Sequence, residues 1–429
     1  MGVSPASQGE ENSLTVNVFA PTTSGPHPVL VWIHGGGFSS GSGGWPWYDA
    51  AEFAARHDIV VATINYRLGA LGFLYLPWLS DDFGEGNFGM LDQVAALQWV
   101  ERNISEFGGD PGHLTVGGQS AGAMSAQALA SNPATRSLVH GVILQSPPAS
   151  TMIQSRELAT QRAQGFLGML ALGPNEARAT LRDLPISVII DAQSRLAAAT
   201  GEFGAISPAM APVVDPALGL VDEAGGMVSL SADNDIPVLV GTTRDETAAF
   251  FARSGAGIGP EPARIQSWLS DNFGPELDRA VARYRSEGCV SPTDVFVAAT
   301  TEKEFRSVAL NLASARSDRG KPTWVYQFDW RPTDSTFGAC HCIDLPFLFG
   351  AAGAYANAAM LGGEDAPETV KVAFQAALAG FVRSGEPASH SVASWPSFHH
   401  DRAVLHFDLP EHEVAGASLS KMLIGRASE

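Results

Sequence analysis

Gly118-Gln119-Ser120-Ala121-Gly122 is the segment of this chain whose residue types could do covalent chemistry. An apolar run, Leu114 to Val116, precedes it, and Ala123 to Leu129 follows with good helix formers. Strand, tight turn and helix in that order would leave the serine projecting from the turn. The flanking glycines then let the backbone approach itself where side chains would collide. A serine hydroxyl attacks only when a base takes its proton, and the resulting oxyanion needs donors already in place. His34-Gly35-Gly36-Gly37-Phe38 offers such donors after the apolar run Val29 to Ile33. The N–H groups of Gly36 and Gly37, with that of Ala121, would form the oxyanion hole. A glycine run can also cradle phosphate, but the Lys-Ser/Thr of a nucleotide-binding loop does not follow.

In hydrolases of this layout the acid and then the histidine come after the serine in the chain. Pro237 to Gly241 reads as a strand followed by Thr242-Thr243-Arg244-Asp245-Glu246, and spacing alone leaves Asp245 and Glu246 open as the acid. His341 stands in Cys340-His341-Cys342 after the strand-like Trp324 to Phe328. His399 and His400, near Arg402, read as solvated loop residues. Ligands packed as closely as Cys340-His341-Cys342 cannot readily surround one tetrahedral ion, and no second cluster is visible, so the sequence argues against a metal.

The elements that must position these residues alternate through the first 150 residues as short apolar strands and helical stretches, the order of a mostly parallel sheet with helices on both faces. Val29 to Ile33, Ile59 to Ile64, Leu114 to Val116 and Val142 to Leu144 read as strands, and Leu14 to Phe19 as an earlier one. Met90 to Phe107 has helical spacing. Later strands are Pro237 to Val240, Trp324 to Phe328 and Ala403 to Phe407. From Arg156 to Leu196 and from Arg264 to Arg316 the pattern is helical, while Gly350 to Gly363 reads as loop. We therefore expect one domain over residues 1–429, with helical insertions at about 150–235 and 247–320.

Composition narrows the partners. Of the 429 residues, 26 are Lys or Arg and 45 are Asp or Glu, a net charge of −19 that repels nucleic acid and anionic membranes. No apolar run reaches the roughly 18 residues of a membrane helix. Cys289, Cys340 and Cys342 are too few for a disulfide framework, and no secretory leader is visible, so a cytoplasmic monomer or small homo-oligomer is expected.

The ordered motifs resemble the type-B carboxylesterases, an α/β-hydrolase family that includes para-nitrobenzyl esterases and cholinesterases. They are the entry segment from Glu10 to Val18, HGGGF at 34–38, NYRLGALGF at 65–73, GNFGMLDQVAALQWVERNISEFGGDP at 86–111, GGQSAGA at 117–123, GTTRDE at 241–246 and HCIDLPFLFG at 341–350. The resemblance implies the α/β-hydrolase fold, nucleophile Ser120, acid Glu246, base His341, oxyanion donors Gly36, Gly37 and Ala121, and no cofactor. It implies a small-molecule ester substrate. Short segments around Gln145 to Pro148 and Ala339 to Ile343 look closest to phenmedipham hydrolase-like esterases, which makes aryl carbamates or amides the alternative substrates. Non-catalytic relatives of the neuroligin type have lost triad residues, whereas all three are kept here.

The chain departs from the family at Ser13, where a cysteine is usual, at Gln119 for Glu, at Thr247 for Gly and at Ala123 for Gly. Relatives also carry several tens of residues before the entry motif, so the expectation is a natural deletion or a misassigned start. Phe38 and Trp47 are the expected substrate-pocket residues. Trp45, Tyr48, Phe203, Phe250 and Phe251 are further aromatic candidates near the motifs.

Overall fold

Strand β2 (His27–Ile33) shows why the apolar runs fold as they do. Its alternating residues Val29, Val31 and Ile33 enter one core cluster while Leu30 and Trp32 enter another. A strand buried on both faces has no polar side to betray its period, hence the continuous apolar runs. The structure is a computed structural model that describes residues 13–80, 83–149, 152–221, 234–251, 260–333, 335–356, 358–387, 395–399, 402–408 and 413–416.

The remaining strands are β1 (Val16–Phe19), β3 (Val60–Ile64), β4 (Gly109–Gln119), β5 (Val139–Gln145), β6 (Val238–Thr243), β7 (Thr323–Phe328), β8 (Ala403–Phe407) and β9 (Glu413–Gly416). They form one sheet in the order β1-β3-β2-β4-β5-β6-β7-β8-β9. The outermost pairings, β1 with β3 and β8 with β9, are antiparallel, and every pairing between is parallel. Strand order reverses at β2, which lies between β3 and β4. Such a switch opens a crevice at the carboxyl ends of the strands, where α/β proteins bind ligands. His34 follows β2 and Ser120 follows β4, so both motifs arrive at that crevice.

Helices fill much of the chain between β5 and β6 and between β6 and β7. Arg156–Met169, Pro174–Thr180 and Ile186–Thr200 stand between β5 and β6. Pro262–Phe273, Leu277–Ser286, Pro292–Thr301 and Ser307–Ser317 stand between β6 and β7. Residues 222–233 and 252–259 of these insertions, and Glu10 to Asn12 of the entry motif, fall outside the described residues.

Other expectations need correction. The expected β1 starts two residues later, at Val16. β4 is much longer than Leu114 to Val116, because backbone pairing of Gly109 with His27 extends it through residues with little apolar signal. The supposed loop Gly350 to Gly363 contains 3₁₀ turns at Ala352–Tyr355 and Ala359–Leu361. The helix Glu368–Ser384 has no counterpart among the expectations, although Val370, Phe374, Ala377, Leu378 and Phe381 line its buried face at helical spacing.

Candidate active site

Ser120 sits at the sharp turn between β4 and the helix Ala121–Ser131, with φ 57° and ψ −124°. That backbone region is costly for any residue with a Cβ, about 1–3 kcal/mol, and it persists because its surroundings fix it. The Ser120 N–H donates to Gln145 O at 2.8 Å, carrying the β4–β5 ladder one residue further. The glycines on either side are needed for space. A Cβ on Gly122 would lie 2.0 Å from Ile33 O, and one on Gly118 would lie 2.3 Å from Gly122 O. Both obstacles are backbone atoms that cannot swing aside. We expect Gly122→Ala to lose at least about 1–3 kcal/mol of stability in denaturant melts. Gly168→Ala, where an added Cβ meets nothing within 4 Å, should be neutral or slightly stabilising.

The glycine loop after β2 packs onto this turn. A Cβ on Gly35 would come within 2.6 Å of Gln119 O and Oε1. Gly36 and Gly37 take φ values of 114° and 59°. The N–H groups of Ser39 and Ser40 both return to Gly36 O at 3.1 Å, which closes the loop. Ala121 is the first residue of its helix, where an N–H lacks an intrahelical partner and the helix dipole favours negative charge.

His34 braces the loop. Its Nδ1–H donates to Gly35 O at 2.8 Å, its carbonyl accepts from the Tyr66 hydroxyl at 3.0 Å, and its ring stacks on Tyr66. Complete burial lowers its pKa from 6.5 to about 4. Between those values the unfolded chain binds the proton and the folded chain does not. Stability therefore falls as pH drops through this window, by up to about 3 kcal/mol. Denaturant melts of wild type and His34→Phe from pH 7 to pH 4 should show the smaller loss in the variant.

The choice between Asp245 and Glu246 is one of direction. The Glu246 carboxylate is completely buried; its Oε1 accepts the Thr243 N–H at 2.8 Å and its Oε2 lies 2.6 Å from His341 Nδ1. Asp245 turns the other way. Its Oδ2 accepts the Ala339 N–H at 2.9 Å, and its backbone N–H donates to Ala339 O at 2.9 Å. With the His341 N–H donating to Glu246 O at 3.1 Å, these bonds zip the Asp245-Glu246 turn to the His341 loop. Thr247, the departure from the family's glycine, adds an anchor. Its hydroxyl donates to Val297 O at 2.9 Å and lies 2.6 Å from Thr300 Oγ1, tying the turn to the helix Pro292–Thr301.

Around His341 are groups that sequence reading missed. Phe305 lies 4.9 Å from the imidazole, centroid to centroid, and belongs to a π-helical turn, Glu302–Arg306. Such turns frequently occur at functional sites, but no sequence signal announces one. Phe250, one of the aromatic candidates, packs 5.4 Å away. Asp344 is fully buried and accepts the Tyr326 hydroxyl at 3.2 Å; burial, with the neighbouring Glu246 charge, pushes its pKa up to about 7. The amide Nε2 of Gln119 lies 2.9 Å from His341 Nε2.

A cavity of about 200 Å³ opens beside the imidazole, lined by Trp47, Phe337, Cys340, His341, Cys342 and Met360 among others. Trp47 stacks on Tyr355 and donates its indole N–H to Ala354 O at 3.2 Å, so it is a rigid wall. Phe38 is instead fully buried, edge-on to Phe73 in the core, away from that wall. Tyr48 is buried against Phe349, and Phe203 and Phe251 pack on Phe296. A cleft of about 630 Å³ lies beyond Asp245, lined by Arg244, Arg306 and Arg331 among others. Neither Ser120 nor His341 reaches it. His399 is exposed and bonds Ser317 O through Nδ1 at 3.0 Å, and Arg402 donates to Ser314 Oγ at 3.1 Å. His400 lies outside the described residues.

A sequence model of the carboxylesterase family matches residues 2–422. The chain belongs to that family. It is 36% identical over 394 residues to a para-nitrobenzyl esterase of Bacillus subtilis, covering 91% of this chain and 78% of that protein. It is also 36% identical over 399 residues to a phenmedipham hydrolase of Pseudarthrobacter oxydans, with the same shares covered. A solved para-nitrobenzyl esterase structure superposes with a TM-score of 0.82 at 31% identity, covering 99% of this chain and 86% of the other. The fold of this carboxylesterase is thus that of the α/β-hydrolases, and its reaction is hydrolysis of carboxylic esters. Among the described residues no helix is long and apolar enough to cross a membrane.

Proposed function

We propose that this carboxylesterase works through Ser120, His341 and Glu246 by way of an acyl-enzyme. The observation that carries this reading is the 2.6 Å contact between Glu246 Oε2 and His341 Nδ1, made across 95 residues at the strand edge where the strained Ser120 turn also arrives. Glu246 fixes the proton on Nδ1, so Nε2 presents the lone pair. His341 takes the Ser120 proton as Oγ attacks the ester carbonyl, then gives it to the leaving alcohol, and a water repeats the steps to release the acid. Gly36, Gly37 and Ala121 supply N–H groups to the oxyanion, each donor being worth about 10²–10³ in turnover.

The apolar cavity walled by Trp47 and Met360 supports uncharged small to medium esters, aryl esters included. The phenmedipham hydrolase likeness favours aryl carbamates as the second reading, since carbamoyl transfer uses the same groups. The same reading takes the chain as one hydrolase domain acting in the cytoplasm, as a monomer or small homo-oligomer. Turnover of para-nitrophenyl esters across an acyl-chain series, with one aryl carbamate and one anionic ester, tests it. We expect neutral short and medium esters to lead in kcat/KM and the anionic ester to trail by at least tenfold. Preference for the anionic ester would count against the assignment.

A further inference from the structure

Among the described residues, the hydrogen-bond partner given for His341 Nε2 is a neighbouring amide. Nδ1 of His341 faces the Glu246 carboxylate, which only accepts, so in the neutral ring Nδ1 carries the hydrogen and Nε2 is left as an acceptor. The Gln119 amide nitrogen at 2.9 Å therefore donates to it. The carboxamide cannot be turned over without setting its oxygen against a bare lone pair. Its Oε1 lies where a Cβ on Gly35 would come within 2.6 Å. Gln119 is 1% exposed and pairs with Gln145 at the end of the β4–β5 ladder, so its backbone is fixed. Glycine at 35 makes room for this amide.

We propose that Gln119 is a positioning residue that holds the neutral imidazole of His341 between turnovers and extends catalysis toward acid. The proposal rests on the reading of Ser120, His341 and Glu246 as the triad. One imidazole lone pair cannot accept from the Gln119 amide and the Ser120 hydroxyl together, so attack requires the ring to exchange one donor for the other. A donor at Nε2 favours the neutral ring and repels the imidazolium. The contact therefore favours the ring in its unprotonated form, the form that can act as base. The other groups facing His341 are Glu246 from the acid turn, the rings of Phe250 and Phe305, and Cys340, Cys342 and Asp344 from its own loop. Of these, Glu246 and Asp344 favour the charged ring, while burial against Phe250 and Phe305 and the Gln119 amide oppose it.

The test is the pH profile of kcat/KM for a para-nitrophenyl ester in wild type, Gln119→Glu and Gln119→Met. A carboxylate at this position accepts and cannot donate. The acid limb of Gln119→Glu should move up by about one pH unit, a tenfold loss at a fixed pH on that limb, with the alkaline plateau retained within about tenfold. Gln119→Met keeps the length without a donor and should move the limb in the same direction by less. Limbs that superpose on wild type, or a lowered plateau with an unmoved limb, would overturn the proposal. Should the variants not fold, wild-type protein with ¹⁵N-labelled histidine carries the test at pH 8. Its His341 Nε2 resonance, assigned by its loss in His341→Gln, must report an unprotonated nitrogen; a protonated one overturns the proposal. Ser120→Ala run in parallel separates the two readings, because full activity there would sink the triad whatever the limbs do.

Discussion

Ser120→Ala lowers kcat for para-nitrophenyl esters by roughly 10⁴–10⁶-fold and leaves the protein folded. The size follows from the proposed chemistry, in which the Ser120 hydroxyl is the attacking group. The fold survives because the bonds at the turn come from the backbone: the Ser120 N–H donates to Gln145 O, and Ala123 N–H donates to Ser120 O at 2.8 Å. Alanine has the same Cβ, so the strained φ costs nothing new. Steady-state rates on a preparation free of host esterases, with circular dichroism and a thermal melt, check both halves. Turnover that persists in a folded variant would remove Ser120 from the reaction.

Glu246→Gln should lower kcat by about 10⁴-fold with a much smaller change in KM. The glutamine side chain can still accept the Thr243 N–H through its oxygen. Its amide would then face His341 Nδ1 and donate, forcing the ring's own hydrogen onto Nε2, where it cannot receive the Ser120 proton. Asp245→Asn supplies the contrast. That side chain holds Ala339 rather than the imidazole, so its loss should act on the thermal midpoint more than on kcat. Equal loss of kcat in both variants would contradict the division of roles.

Much of the fold was legible because the parallel strands are buried on both faces and appear in the sequence as uninterrupted apolar runs. β2, β3 and β7 fall within a residue or two of those runs. The reading failed where backbone pairing supplies what side chains do not, as in Gly109 to His113 of β4. The sharp turn at Ser120 is legible since glycine is compulsory at 118 and 122 for a steric reason that local sequence carries. Spacing alone leaves Asp245 and Glu246 open, because adjacent residues of one turn point in opposite directions and only the partner loop shows which reaches the histidine, whereas the family resemblance implies Glu246. Phe305 and the Gln119 amide escaped for the same reason, since their contacts with His341 join distant parts of the chain. Phe38, expected at the pocket, is fully buried in a core cluster with φ of 56°.

The most direct test is covalent labelling with an uncharged fluorophosphonate, followed by peptide mass mapping and residual activity on the same sample. A single phosphonyl group on Ser120, rising in step with the loss of ester turnover and formed far more slowly in Glu246→Gln, is the result this account predicts. Loss of activity with Ser120 unmodified, or full activity with Ser120 labelled, would contradict it.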